Sequence, residues 1–147
     1  MKTSKILMLT VAGLVLGACS GGEKAAPKQA AESAPEAVQV TDVSLLTGDA
    51  EAGRVGFGQC RSCHAIEAGM NRVGPSMHGV VGRAVGTEPG YRYSTAMAVA
   101  GGVWDDQHLF DYLEKPREVI PGTKMTYVGI KDAQRRADII AYLKTLS

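Results

Sequence analysis

The sequence predicts an all-α fold interrupted by a long glycine-rich loop, on three observations. Two segments, Asp49 to Cys63 and Asp105 to Lys115, open on a capping Asp. A third, Asp132 to about Leu146, places Ile139, Tyr142, Leu143 and Leu146 at i, i+3, i+4 and i+7, one apolar stripe of a helix. Between the first two, Gly69, Gly74, Pro75, Gly79, Gly82, Gly86, Pro89 and Gly90 punctuate the chain too often for a regular element. No pair of strand-like runs appears, so no sheet is expected.

Residues 1–18 read as an export signal. Lys2 and Lys5 give a basic start, and Ile6 to Leu16 is an apolar run of eleven, short for a bilayer span. No Arg-Arg pair precedes it, which favours the general secretory route. Leu16-Gly17-Ala18-Cys19 resembles the lipobox of bacterial lipoproteins. That resemblance implies cleavage before Cys19 and acyl chains on it; an ordinary signal cut nearby is the alternative. Ser20 after that cysteine favours the outer membrane in a two-membrane cell.

From Ser20 to about Leu46 the chain is rich in Ala, Pro, Glu, Lys and Gln, with no aromatic residue. Such a stretch buries too little apolar surface to offset its ordering entropy, so residues 19–46 are expected to be a lipidated cysteine and its tether. About 26 residues span ~30 Å when flexible and at most ~90 Å extended. The folded domain is then 47–147. Sixteen basic residues include Lys2 and Lys5, and the remaining fourteen face fifteen acidic ones, so nothing favours nucleic acid as a partner.

Each element of that domain has a local reason. Asp49 caps the first helix and Glu51 suits its first turn. Gly53, Gly56 and Gly58 each cost about 1 kcal/mol against Ala in a helix interior. Gly53 is explained if the last helix crosses there at close range. In the next helix Trp104 is placed to staple onto Leu109, and Pro116 stops the run. The long loop would be unusual if structureless, but it is what a chain needs to wrap a flat cofactor.

Cys60-Arg61-Ser62-Cys63-His64 names that cofactor. A C-x-x-C-H run reads as a covalent haem attachment site: each thiol adds across a vinyl group, and the adjacent imidazole faces the iron. The same C-x-x-C core occurs in thioredoxin-like and zinc sites. The first should follow a strand in a β-α-β pattern, and the second needs two more ligands; His78 and His108 have no such companions. Three cysteines then have three uses, one for lipid and two for haem. For a second axial ligand the candidates are Met70, Met77, Met97, Met125, His78 and His108. Met125 follows the Pro121-Gly122 turn, which could aim its thioether at the iron.

Six segments in order resemble the class I, mitochondrial-type cytochrome c family. They are Cys60-Arg61-Ser62-Cys63-His64, Val73-Gly74-Pro75-Ser76-Met77-His78-Gly79, Tyr91-Arg92-Tyr93-Ser94, Tyr112-Leu113-Glu114-Lys115-Pro116, Pro121-Gly122-Thr123-Lys124-Met125 and Asp138-Ile139-Ile140-Ala141-Tyr142-Leu143. The resemblance implies a cytochrome c fold of three to five helices round one haem c, held through Cys60 and Cys63. It implies His64 and Met125 as axial ligands, and such a pair raises the potential relative to more basic ligands. It further implies a Pro75 carbonyl on the His64 ring N–H, Tyr112 and Thr123 beside the Met125 sulfur, and Arg83, Tyr93 and Trp104 at the inner propionate. Gly53, Phe57, Ile139 and Tyr142 fall at the family's helix crossing. Two departures stand out: Met97 replaces an Asn common near the haem, and the lysine-rich docking face shrinks to Arg61, Arg72, Lys115, Lys124 and Lys131.

The function so implied is electron carriage, with no catalytic residue and no small-molecule substrate. The expected partners are membrane redox complexes (a quinol-oxidising donor; a terminal oxidase, reductase or reaction-centre acceptor) and the lipid bilayer through Cys19, on the periplasmic side of a bacterial membrane. The rivals are a gas sensor or enzyme in which Met125 leaves the iron, a relay subunit fixed in one complex, and a thiol-disulfide oxidoreductase.

Overall fold

A computed structural model describes residues 40–147. The export signal, Cys19 and the tether as far as residue 39 lie outside the described residues. Five α-helices follow one another: α1 (Ala50–Gly56), α2 (Thr95–Val99), α3 (Asp106–Glu114), α4 (Pro116–Val119) and α5 (Ala133–Lys144). Among the described residues there is no strand, only an isolated bridge between Ala84 and Val103. The all-α expectation holds.

Asp49 caps α1 by accepting from the N–H groups of Glu51 and Ala52 at 2.8 and 3.0 Å. The helix is shorter than the sequence suggests. It ends at Gly56, tightens into a 3₁₀ turn over Phe57–Gln59, and continues as a single turn through Cys60–Cys63. Three glycines in six residues weaken an α-helix, and the 3₁₀ geometry closes the chain with the Cys60 N–H donating to the Phe57 carbonyl at 2.8 Å.

Gly53 is where α1 and α5 cross. A Cβ there would overlap the Asp138 carbonyl group and lie 2.9 Å from the Cβ of Tyr142. The two helices are also tied by the Asp49 N–H, which donates to Asp138 Oδ1 at 2.9 Å. Phe57 packs on Tyr142 with ring centroids 5.5 Å apart, and Ile139 and Leu143 of the α5 stripe are buried beside it. The residues named for the crossing meet there.

Asp105 caps α3, accepting from the His108 N–H at 2.7 Å. Trp104 lies in the buried cluster with Leu109, and its ring stacks on His108 and Tyr112 at 4.5 and 4.9 Å. Pro116 ends α3 and opens α4, where its missing N–H is no loss. Helix α2 was not foreseen; it is five residues long and capped by Ser94 Oγ accepting from the Met97 N–H at 3.2 Å.

The folded chain begins earlier than Thr47. Residues 41–46, expected as the end of the tether, dock on α3. The Val43 N–H donates to Gln107 Oε1 at 3.0 Å, and Gln107 Nε2 donates to the Thr41 carbonyl at 2.8 Å. Asp42 caps a 3₁₀ turn over Val43–Leu45, and Val43 and Leu46 pack against the core.

The α5 helix brings a buried charge into that core. Arg136 on α5 is 1% exposed and lies over the Phe110 ring at 4.0 Å. Its Nη1 donates to the carbonyls of Ile130 and Lys131 at 2.7 and 3.0 Å, and its Nη2 pairs with Glu114 at 3.4 Å. The Ile130 N–H donates to the Leu113 carbonyl at 2.8 Å. The chain between α4 and α5, which carries Met125, is thereby fastened at its far end to α3 and α5.

Replacing Gly53 with Ala forces α1 and α5 apart. The haem-loaded variant is expected to lose about 1–3 kcal/mol of stability or more, read as a lowered midpoint in guanidinium unfolding. A midpoint equal to wild type would refute the close crossing.

Candidate haem site

His64 is placed by the turn that holds the two cysteines. Its N–H donates to the Cys60 carbonyl at 2.9 Å, so the imidazole projects from the end of that turn. The ring then meets the segment 72–75. Its Nδ1 lies 2.8 Å from the Pro75 carbonyl oxygen, which can only accept, so the proton sits on Nδ1 and the Nε2 lone pair is left for a metal. Gly74 allows this approach: a Cβ on it would lie 2.6 Å from His64 Nδ1 and closer still to Cε1. Burial lowers the pKa of His64, against the smaller opposite pull of the Pro75 carbonyl. The imidazole is held neutral, the form a metal needs.

Cys60 and Cys63 are half-buried and share no disulfide. Burial pushes the Cys60 thiol up to about 11, an environment that disfavours a thiolate and suits a neutral thioether.

Cys60, Cys63, His64, Pro75, Arg83, Tyr93, Trp104, Tyr112, Thr123 and Met125 all line one cavity of about 410 Å³. Every residue the sequence proposed for the cofactor is there. Core residues Phe57, Leu109, Leu113, Ile139 and Leu143 complete its apolar walls. A wider cleft of about 690 Å³, between residues 42–48 and helices α3 and α5, contains none of the ten.

The candidate second ligands separate. Met70 is 46% exposed and, like His78 and His108, is not on the cavity wall, which carries Met77, Met97 and Met125. The Met77 N–H donates to the Ala65 carbonyl at 2.9 Å, on the His64 side of the chain. Met97 belongs to α2 and is buried. Met125 stands on the separate segment between α4 and α5. There Thr123 Oγ1 accepts from its N–H at 3.3 Å and pairs with Tyr112 Oη at 2.8 Å. Thr123 is thus tied to the Met125 backbone, and Tyr112 to Thr123.

The polar end of the cavity has an unfilled donor. Arg83 Nη1 donates to the His78 carbonyl and Nη2 to that of Ser76, at 3.0 and 2.9 Å, and Glu88 pairs with Nη1. Its Nε is buried with no partner among the described residues. A buried N–H left unmade costs about 1–3 kcal/mol, and an acceptor such as a carboxylate at that end of whatever fills the cavity would satisfy it. A flat apolar ring with carboxylate edges fits these walls. Zinc does not: among the described residues no three His, Cys, Asp or Glu gather as a metal site. Nor does a thioredoxin-like site, since the described chain has no β-α-β unit.

The family model described as cytochrome c matches residues 50–147. The chain belongs to the cytochrome c family. It is 56% identical over 87 residues to cytochrome c2 of Rhodopila globiformis, a match covering 59% of this chain and 82% of that one. It is 47% identical over 113 residues to the c-type cytochrome cy of Rhodobacter capsulatus, covering 76% of this chain and 56% of that one. Among solved structures it resembles cytochrome cH from Methylobacterium extorquens, with a TM-score of 0.64 and 45% identity over 67% of this chain and 99% of that one. This is a class I, mono-haem cytochrome c. It takes one haem c, bound covalently through two cysteines, and Cys60 and Cys63 supply them.

Of the five basic residues expected round the haem edge, only Lys124 lines the cavity. Lys115 and Lys131 each approach Glu114 at 4.0 Å, and Arg72 Nη1 donates to the Arg61 carbonyl at 3.2 Å. The exposed part of the cavity wall mixes Gln59, Ser62, Lys124 and Thr126 with two valines, Val73 and Val128, which are 77% and 87% exposed. Sequence reasoning missed both as rim residues, because exposure of a single valine leaves no mark in hydropathy. It also missed Glu88, whose Thr87-Glu88-Pro89-Gly90 setting looks like an ordinary solvated turn.

Gly74→Ala drives a methyl group into the His64 ring. The variant is expected to yield less haem-loaded protein, with a displaced visible band in what remains. A wild-type spectrum and yield would show that the imidazole does not rest on Gly74.

Proposed function

We propose that this cytochrome c is a membrane-tethered electron carrier in which His64 and Met125 are the axial ligands. The observation that carries the reading is the shared cavity. It presents two attachment sulfurs, an imidazole fixed by Pro75, and a thioether supported from a different segment by Thr123 and Tyr112. The haem iron supplies reversible one-electron exchange between Fe(II) and Fe(III). With a side chain on each face of the ring, no coordination position remains for a substrate, and the family supports a carrier rather than an enzyme.

The chain's own residues set the conditions of that exchange. The Pro75 carbonyl keeps the His64 ring oriented and its Nδ1 protonated. The thioether of Met125 and the apolar walls disfavour the more charged oxidised state and hold the potential up. Arg83, Tyr93 and Trp104 face the carboxylate edge of the ring. Electrons pass at the rim near Cys60, Tyr127, Val73 and Val128, where Tyr127 Oη donates to Gln59 Oε1 at 2.7 Å and keeps that ring in place. The two exposed valines at the rim, with Lys124 beside them, support docking with a redox complex in a membrane, such as a quinol-oxidising donor and an oxidase, reductase or reaction-centre acceptor.

The anchoring belongs to the same proposal and rests on the sequence. A lipidated Cys19 with two or more acyl chains would hold the protein at the periplasmic side of a bacterial membrane. The tether that follows would keep the domain at high local concentration beside its partners, replacing free diffusion by a swinging arm.

Met125→Ala opens one face of the iron. The near-infrared methionine–iron band is expected to vanish, the midpoint potential to fall, and the reduced variant to bind carbon monoxide at neutral pH, which wild type does not. Carbon monoxide binding by wild type would favour the gas sensor or enzyme instead.

Cys19→Ser tests the anchor. Spectrum and potential should stay as in wild type, while the protein leaves the membrane fraction and turnover between membrane partners slows at limiting carrier. Unchanged fractionation and turnover would refute the swinging arm.

A further inference from the structure

Glu88 is 7% exposed, sits in the turn between Arg83 and Tyr93, and is outside the cavity wall. It touches both cavity donors that flank it. Its side chain pairs with Arg83 Nη1. Its backbone N–H donates to Tyr93 Oη at 3.3 Å.

Those two contacts decide where the donors point. With Ser76, His78 and Glu88 engaging the Nη groups, the guanidinium plane of Arg83 is fixed, and Nε is the nitrogen with no partner among the described residues. With the Glu88 N–H on the phenol oxygen, Tyr93 has one lone pair engaged and keeps its own O–H to donate. Both side chains line the cavity. A buried carboxylate is expensive unless paired and hydrogen-bonded, so a residue placed here only to form a turn would not be acidic.

We propose that Glu88 is the positioning residue for the carboxylate edge of the haem, orienting Arg83 and Tyr93 and setting the potential through its own charge. The proposal rests on the haem reading above. Arg83 alone would present a full positive charge to that edge. Paired with Glu88 it presents an oriented donor whose charge is largely offset. The extra negative charge favours Fe(III), so Glu88 lowers the potential relative to a neutral residue at the same place. The effect is felt because the pair is poorly solvated: interactions between charges weaken in water and strengthen in the interior.

The test is Glu88→Gln in the full haem-loaded chain, by redox titration at low and high salt. Gln keeps an oxygen for Arg83 and removes the charge. The expected result is an unchanged visible spectrum with a positive shift of midpoint potential, at least about three times that of Glu118→Gln, where the carboxylate is exposed and salt screens it. A shift no larger than that control, or of opposite sign, overturns the assignment. If Glu88→Gln does not retain haem, the wild-type protein decides, labelled with ¹³C at its glutamate carboxyls. Its oxidised-minus-reduced infrared spectrum should carry a glutamate carboxylate band, and a flat carboxylate region overturns the proposal. Failure of wild-type protein to stain for covalent haem on a denaturing gel would sink the haem reading itself, a different result from either.

Discussion

The interior of this domain is built round something that is not protein. Phe57, Leu109, Leu113, Ile139 and Leu143 are the buried residues that join α1, α3 and α5, and each also faces the 410 Å³ cavity. At ~24 cal/mol per Å³ of cavity, a space of 410 Å³ is worth about 10 kcal/mol, the size of the whole stability of an ordinary domain. A chain with two Phe and one Trp has little else with which to fill that volume. The ring that accepts electrons is therefore also the largest apolar body in the core, and fold and function share one constraint.

That constraint explains why the few polar features are so closely specified. A ring bolted at Cys60 and Cys63 fixes one edge, and the rest must meet it. His64 is turned by the Pro75 carbonyl, Arg83 by three acceptors and Tyr93 by a backbone N–H. None of these side chains lies on a long helix. They stand on turns whose shape comes from glycines and from side-chain to backbone hydrogen bonds, such as Ser76 Oγ donating to the Glu67 carbonyl at 2.7 Å. The long loop is where precision is stored, and α1, α3 and α5 hold its ends.

What could be read in the sequence was whatever has a local cause. The C-x-x-C-H turn, the Asp49 and Asp105 caps and the Gly53 crossing each follow from one residue and its near neighbours, and each stands in the structure. Cys60, Cys63 and His64 came from that motif and the other seven cofactor residues through a resemblance, and the cavity gathers all ten. What stayed hidden depends on distant partners. Residues 41–46 looked like tether because Val43 and Leu46 have meaning only against Gln107 and the core, more than 60 positions away. Helix α2 is too short for periodicity to show. Arg136 and Glu88 were hidden by charge: a charged residue is normally read as solvated, and these two are buried by partners on other elements.

Arg136 also helps to hold one side of the site. The segment carrying Met125 has no helix of its own. It is held near one end by the Thr123 N–H on the Ile120 carbonyl at 3.0 Å, and at the other by Arg136 on the Ile130 and Lys131 carbonyls. Gly129 makes the second anchorage possible, because a Cβ there would press on the Glu114 carbonyl group. Between those ends the segment is held by long side chains, with Lys124 Nζ donating to the Arg92 carbonyl and Tyr127 Oη to Gln59 Oε1, both at 2.7 Å. On the opposite side His64 is locked between Gly74 and Pro75. An electron carrier benefits from both restraints. Little movement of His64 or Met125 is expected when the charge on the iron changes, because hydrogen bonds hold the segments that carry them.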